Sequence, residues 1–371
     1  MRIILFSIAL LTLECLSAQS KQLYLLTGTY TDGKSEGIYT YKFDTENGNA
    51  QLLSKIKATN PSYLAISKDE NNVYAISDAR NGQNSEVAAY QFNKQTGELS
   101  LINKLAEKGS GACYITVDNN KKWVFLANYA SGNLTALSVR KDGGLDTIKQ
   151  FFQDTGKSVH KTRQQEPHIH TAVFSPNENY LYVTDLGNDQ IHQFPFKSSA
   201  NLPLSINQEK IIKCKPGNGP RHLEFSKDSR IMYVINELSG TIDVFDCKRN
   251  NSALIQTIST DSTQSDTKGS ADIHISPEGT FLYATNRGSY NTISTFSILS
   301  NGQLSLLQVQ STGGIMPRNF VIDPTGNYIL IGHQKSNNIT IFRRNKYTGI
   351  LTKINQQINV GSPVCLKFIS L

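Results

Sequence analysis

Three arginines, one glutamate and a His-x-His pair stand out among the residues able to do chemistry: His168, His170, Arg221, Glu237, Arg287 and Arg318. Arginines grip phosphate or carboxylate through paired charge-assisted hydrogen bonds, and they stabilise a developing oxyanion. His170 or Glu237 beside them supplies a general acid or base. No G-x-S-x-G elbow is present, which argues against a serine hydrolase. The glycine-rich run Gly217-Asn-Gly219-Pro-Arg221 precedes an apolar strand pattern, not a helix, so it is no dinucleotide-type phosphate loop.

Whether these residues meet depends on the elements that carry them, and those elements repeat. A segment opening on a small residue or proline and ending in Ser or Asp recurs along the chain. It reads Pro61-Ser-Tyr-Leu-Ala-Ile-Ser67, Ala112 to Asp118, Pro167 to Ser175, Pro220 to Ser226, Ala271 to Ser276, Pro317 to Asp323 and Pro363 to Ser370. The closing residues 67, 118, 175, 226, 276, 323 and 370 lie 51, 57, 51, 50, 47 and 47 residues apart. A turn and a second apolar strand follow, as in Trp123 to Asn128 and Phe281 to Asn286. Third strands follow Gly/Asn turns (Gly132 to Leu137, Gly240 to Phe245), and fourth strands follow turns such as Thr96-Gly97-Glu98-Leu99. Four short strands per repeat, seven times over, predict an all-β seven-bladed propeller. Pro363 to Ser370 has no strand after it, and Leu23 to Gly28 has no first strand before it. The two ends are therefore expected to complete one blade together and close the ring.

Numbered from its closing residue, each repeat places Ser62, Cys113, His170, Arg221, Ala271, Arg318 or Cys365 five positions earlier. Tyr129, Glu237, Arg287 and Gln334 fall eleven positions after it. In an antiparallel hairpin the two places are neighbours. His170, Arg221, Glu237, Arg287, Arg318 and Gln334 are thus expected on one rim of the central channel, with Tyr129 beside them. Arg221 and Glu237 should meet within salt-bridge range. As a solvent-facing rim charge, Arg221 should be removable at little cost in stability. No carboxylate or thiol other than Glu237 takes a matching place beside His168 and His170, so no metal is expected. His274 lies deeper in its strand and reads as a packed, hydrogen-bonded core histidine. The alternative to a catalytic rim is a set of charges that pair across blades, in a propeller that binds an anionic glycan or a protein.

The net charge of +7 is not gathered into a basic run, which excludes a nucleic-acid footprint. Past the N-terminus no segment offers the 18 apolar residues of a membrane span. Arg2, the apolar stretch Ile3 to Leu13 and Leu16-Ser17-Ala18-Gln19 have the pattern of a secretory signal peptide over residues 1–18, leaving a single domain over 19–371. The protein is therefore expected in the periplasm or outside the cell, as a monomer. Cys113, Cys214, Cys247 and Cys365 form no C-x-x-C pair and read as buried free thiols, with pairing of Cys214 and Cys247 left open.

Pro167-His-Ile-His-Thr-Ala172, Gly219-Pro-Arg-His222, Val234-Ile-Asn-Glu-Leu238, Ala271-Asp-Ile-His-Ile-Ser-Pro-Glu-Gly279, Asn286-Arg287, Pro317-Arg318 and Gln334-Lys-Ser336 resemble the signatures of the 6-phosphogluconolactonase family of seven-bladed propellers. Asn128 to Asn133 resembles its third-blade turn. A related branch comprises the fungal carboxymuconate-lactonizing enzymes. The resemblance implies lactone chemistry without metal or organic cofactor, on a small-molecule lactone with an anionic group. It implies a catalytic set mapping onto His170 (or His168), Arg221, Glu237 and Arg287. His168, His222, Arg318, Gln334 and Tyr129 are then the candidates for holding substrate. The best-known members of that family act in the cytosol on a phosphorylated intermediate, whereas this chain carries an export pattern.

Overall fold

The computed structural model describes residues 22–77, 85–248, 252–261 and 268–371, so the expected leader over 1–18 lies outside the described residues. Seven four-stranded antiparallel sheets follow one another. Their innermost strands are Leu64–Ile66, Ala112–Val117, Ile169–Phe174, Pro220–Phe225, Ser270–Ile275, Pro317–Ile322 and Pro363–Ser370. Each touches the innermost strand of the next blade, all the way round. The expected closure is observed. Pro363–Ser370 pairs with Gln22–Thr29, from Leu23 opposite Ser370 to Thr29 opposite Pro363, and the blade continues through Gly37–Asp44 and Ala50–Lys57.

The serine or aspartate that closes each repeat has a definite task. In six blades its backbone N–H donates to the carbonyl five residues on, at 2.8 to 3.1 Å. Its side-chain oxygen accepts the N–H of that same residue, at 2.5 to 3.1 Å, in the pairs Ser67–Asn72, Asp118–Trp123, Ser175–Tyr180, Ser226–Ile231, Ser276–Phe281 and Asp323–Tyr328. This turn leaves no donor unpaired and fixes the register of the two innermost strands.

Burial peaks in the second strand of each blade and falls towards the outer edge. Trp123–Asn128, Ile231–Asn236, Phe281–Asn286 and Tyr328–His333 are buried along their whole lengths, whereas Ala50–Lys57 is mostly exposed. Apolar side chains such as Phe125, Tyr233, Leu330 and Phe342 fill the seams between blades. Polar clasps add direction to that packing. The Gln256 amide donates to the Leu304 carbonyl at 2.9 Å and accepts the Leu304 N–H at 2.7 Å. Gln150 grips Leu204 in the same two-point way, and Asn103 grips Leu145. All four described cysteines are free thiols; Cys214 and Cys247 pack in one cluster without a disulfide.

Asp118 accepts the N–H groups of Lys122 and Trp123, each at 2.7 Å, and the Ser198 hydroxyl at 2.6 Å. Asp118→Ala strands the buried Trp123 N–H, at a cost of about 1–3 kcal/mol, and frees the less buried Lys122 and Ser198 donors. An unfolding free energy in urea lowered by roughly 2 kcal/mol is expected, and Asp118→Asn, whose amide oxygen still accepts both N–H groups, should recover most of the loss.

Candidate active site

The innermost strands share one irregularity near the channel mouth. Ile169 pairs with Asp185 and Thr171 with Thr184, so His170 has no partner across the ladder. Arg221 is skipped in the same way between Pro220 and His222, Arg318 between Pro317 and Asn319, and Cys113 between Ala112 and Tyr114. A bulge of this kind turns the extra side chain out of the sheet. The five-before position is thus a bulge, which explains why His170, Arg221 and Arg318 leave the blade core. In the closing blade the skipped residue is Val364 and not Cys365, because that strand runs one residue longer before its last paired position.

Past each bulge the hairpin makes one more backbone pair. Tyr129 donates to the Gly111 carbonyl, Glu237 to Gly219, Arg287 to Gly269 and Gln334 to Met316, at 2.8 to 3.0 Å. Gly219 has φ +64, and a Cβ there would stand 2.5 Å from Leu238 Cγ, so a side chain would push this rung apart.

Arg221 and Glu237 meet as expected, with Nε 2.9 Å from Oε2. The same carboxylate takes Arg287 Nη2 at 2.6 Å and Arg163 Nη2 at 2.7 Å. Arg221 Nη1 also donates to the Ala271 carbonyl, and Arg287 Nε donates to Gly269 at 3.0 Å. Arg221 is not the exposed rim charge the sequence suggested. It is 2% exposed, since the bulge points it into the channel under its neighbours. Removing it therefore takes away a buried ion pair, a costlier loss than that of a surface charge. Burial, and then the charges of Arg287 and Arg318, lower the Arg221 pKa to about 10, which leaves it cationic at neutral pH. Burial alone would raise the Glu237 pKa, but Arg287, Arg221 and Arg163 hold it well below the carboxylate range.

His170 is buried beside this cluster. Its ring packs edge-on to Tyr129 (5.6 Å) and His222 (5.2 Å), and its buried Nδ1 has no hydrogen-bond partner among the described residues. Burial and the positive charges of Arg221, Arg318 and Arg287 keep its pKa well below 6.5. It is a neutral imidazole at physiological pH. His168 lies flat on Tyr129, 4.3 Å between ring centres, and its Nδ1 donates to the Tyr129 carbonyl at 2.9 Å. The two histidines flank a tyrosine and do not face a common metal position.

His222 stands behind Arg221. Its Nδ1 lies 2.7 Å from Asp272 Oδ1 and its Nε2 3.3 Å from Arg221 Nη1, so Asp272 fixes the ring with a lone pair towards the guanidinium. Asp272 also takes His274 Nε2 at 3.2 Å, and Glu224 takes His274 Nδ1 at 3.0 Å, so His274 is hydrogen-bonded as expected but half-buried and not in the core. Arg318 lies over the Tyr30 ring at 5.8 Å. Gln334 follows its strand as predicted, but no hydrogen bond joins its side chain to the arginines among the described residues.

Arg163 escaped the sequence reading because it lies between blades, where the repeat template assigns no place. The available signal was the 57-residue interval, longer than the other five. The extra chain forms a strap over 155–167. Buried Gln164 pins it by donating to the Leu186 carbonyl at 2.9 Å and accepting the His160 N–H at 3.0 Å. Asp154 and His168 fasten its two ends. Asp154 Oδ2 lies 3.0 Å from His192 Nε2 and 2.9 Å from Asn188 Nδ2, while Asp185 accepts the His168 N–H at 2.8 Å. Asp154, Asp185 and His192 also bring metal-type ligand atoms together. Burial would lower the His192 pKa, yet Asp154 and Glu209 raise it to about 9, so an imidazolium pairs with these two carboxylates.

A family profile described as "Lactonase, 7-bladed beta-propeller" matches residues 24–368. A 6-phosphogluconolactonase of Formosa agariphila is 38% identical over 347 residues, covering 92% of this chain and 98% of its own length. One from Bacillus subtilis is 35% identical over 350 residues, covering 92% and 97%. A solved structure from Pseudomonas aeruginosa, described as a periplasmic gluconolactonase, superposes with a TM-score of 0.88 at 32% identity, over 94% of this chain and 99% of its own.

A carboxylate with a depressed pKa contributes stability above its unfolded pKa and loses it as acidification protonates the folded group. Glu237→Gln should therefore melt below the wild type at pH 7, and the gap should narrow as pH falls below the ordinary value of 4.5. Melting curves from pH 7 to pH 3 check this, and a gap independent of pH would contradict it.

Proposed function

Because the chain belongs to the seven-bladed β-propeller lactonase family and is a lactone hydrolase like 6-phosphogluconolactonase, we propose that its substrate is a sugar lactone bearing an anionic group, opened at the rim around His170, Arg221, Glu237 and Arg287. The observation that carries this reading is a neutral, buried imidazole beside one carboxylate that three guanidinium groups share. Three positive charges on one negative leave a surplus, and Arg318 adds to it. That surplus favours an anionic substrate and the negative charge that develops on a carbonyl oxygen under attack.

In the proposed reaction His170 takes a proton from water as the water oxygen bonds to the lactone carbonyl carbon. The electron pair of the C=O bond moves onto the oxygen, where Arg221 and Arg287 stabilise it. As that oxyanion collapses, the bond from the carbonyl carbon to the ring oxygen breaks. The leaving oxygen takes the proton back from His170. Glu237 is a poor candidate for the base, since the guanidinium groups hold it ionised and occupy both of its oxygens. Its role is to orient those groups. Tyr129 and His168 form the wall on the strap side, and His222 braces Arg221 from behind.

The same proposal places the enzyme outside the cytoplasm. The pattern from Arg2 to Gln19 supports export, and so does the periplasmic description of the Pseudomonas aeruginosa relative. Protein recovered from the periplasm or medium should begin at Gln19 by N-terminal sequencing.

Purified residues 19–371 should release acid from sugar δ-lactones faster than buffer alone. His170→Gln should lower kcat by roughly 100-fold or more, the usual worth of a positioned base, with little change in melting temperature. Arg221→Met should lower kcat by about 100-fold, the worth of an oxyanion donor, and lower the melting temperature as well. Full turnover in His170→Gln would remove this rim from consideration as the active site. A protein that binds acidic sugars but opens no lactone would be a binding propeller instead.

A further inference from the structure

Resting on the lactonase reading above, we propose that Arg163 is the specificity-determining residue: it reads a carboxylate or phosphate that the lactone carries away from its carbonyl. The two other arginines that share Glu237 are committed elsewhere. Arg221 is 2% exposed and uses both Nε and Nη1 in hydrogen bonds to the protein. The Arg287 side chain is 11% exposed and spends Nε on Gly269 and Nη2 on Glu237. The Arg163 side chain is 41% exposed. Only its Nη2 is engaged, with Glu237 and with the Tyr129 hydroxyl at 3.0 Å. Its Nε and Nη1 make no hydrogen bond among the described residues, and that edge of the fork matches an oxyanion group in the two-point manner of arginine.

The strap makes this arrangement a built one. Besides the Gln164 bonds, Ser158 donates to Asp189 through its hydroxyl and to the Gln164 carbonyl through its N–H. The Arg163 N–H itself meets His160 Nδ1 at 3.3 Å. A guanidinium held this way binds without first paying for loop ordering. Position divides the labour. Arg221 and Arg287 belong to blades and sit deep, where a carbonyl oxygen would lie against them. Arg163 comes from the strap and stands nearer solvent, where a substituent on the far side of the sugar ring would reach. A neutral lactone leaves the surplus charge of the cluster uncompensated, whereas a carboxylate or phosphate at Arg163 offsets it.

The test compares kcat/KM of wild type, Arg163→Gln and Arg163→Lys on three lactones of one ring size: a neutral aldonolactone, one with a terminal carboxylate and one with a terminal phosphate. The wild type should prefer at least one charged lactone over the neutral one. In Arg163→Gln that charged-to-neutral ratio should fall at least tenfold, mainly through KM, and Arg163→Lys should restore part of it. Whichever charged lactone shows the larger fall identifies the anion that is read. An unchanged ratio would overturn the proposal even where overall activity drops, since Arg163 would then only support Glu237 and Tyr129. A wild type with no preference for a charged lactone would overturn it too, with lactone hydrolysis itself intact. Failure of the wild type to open any of the three would instead remove the lactonase reading on which the proposal stands.

Discussion

In six of the seven blades the hairpin between the two innermost strands is locked at its foot by a serine or aspartate oxygen that accepts the N–H five residues on, and the rim is built on that lock. With the foot fixed, the strand rises through a set number of paired residues before the bulge. The residue that leaves the ladder is therefore the same one, counted from the foot, in blade after blade. Evolution can then exchange His170, Arg221, Cys113 or Arg318 at that place without disturbing the seams between blades. One backbone rung above, Tyr129, Glu237, Arg287 and Gln334 occupy the opposing place by the same logic. Two tiers of interchangeable positions on a rigid ring suffice to assemble a site whose members are more than a hundred residues apart in sequence.

Electrostatics then decide what each member is. Isolated in the channel, Glu237 would be pushed towards protonation by burial, and Arg221 towards losing its proton. Placed together with Arg287 and Arg163, the carboxylate is kept ionised and the guanidiniums stay charged. The cost falls on His170, whose neighbours oppose its protonation. A group unable to keep a proton in the resting state is suited to accepting one only when the reaction supplies negative charge beside it. The acid and base assignments thus come from the order of charges around the ring and need no unusual residue.

Much of this was legible in the sequence, for a physical reason. The lock demands Ser or Asp, the seams demand apolar residues, and both recur at a near-constant interval, so blade count, ring closure and the Arg221–Glu237 contact could be read before the coordinates. Depth could not. A repeat template gives height along a strand but not how far neighbouring side chains lean over it, which is why Arg221 looked like a surface charge. Nor does it see a shift of one residue, as at Val364 and Cys365, where the closing strand has an extra residue and the alternation hides it. Arg163 was invisible for a third reason. Inter-blade chain has no period, and its only trace is a longer gap between anchors.

The blade that joins Pro363–Ser370 to Gln22–Thr29 also bears on how the protein is made. Six blades can form in order as the chain is synthesised, each a local hairpin meander with short loops. The first cannot. Gln22–Thr29 presents an open edge until the strand some 340 residues later reaches it, and until then neither neighbouring seam of the ring is tight. Synthesis at about 5–20 residues per second makes that a wait of tens of seconds. During that interval the chain is an unclosed arc with apolar seams at both ends. Such an arc is exposed to edge-to-edge association. The rim cluster, whose arginines come from consecutive blades, gains its rigid frame only when the ring snaps shut.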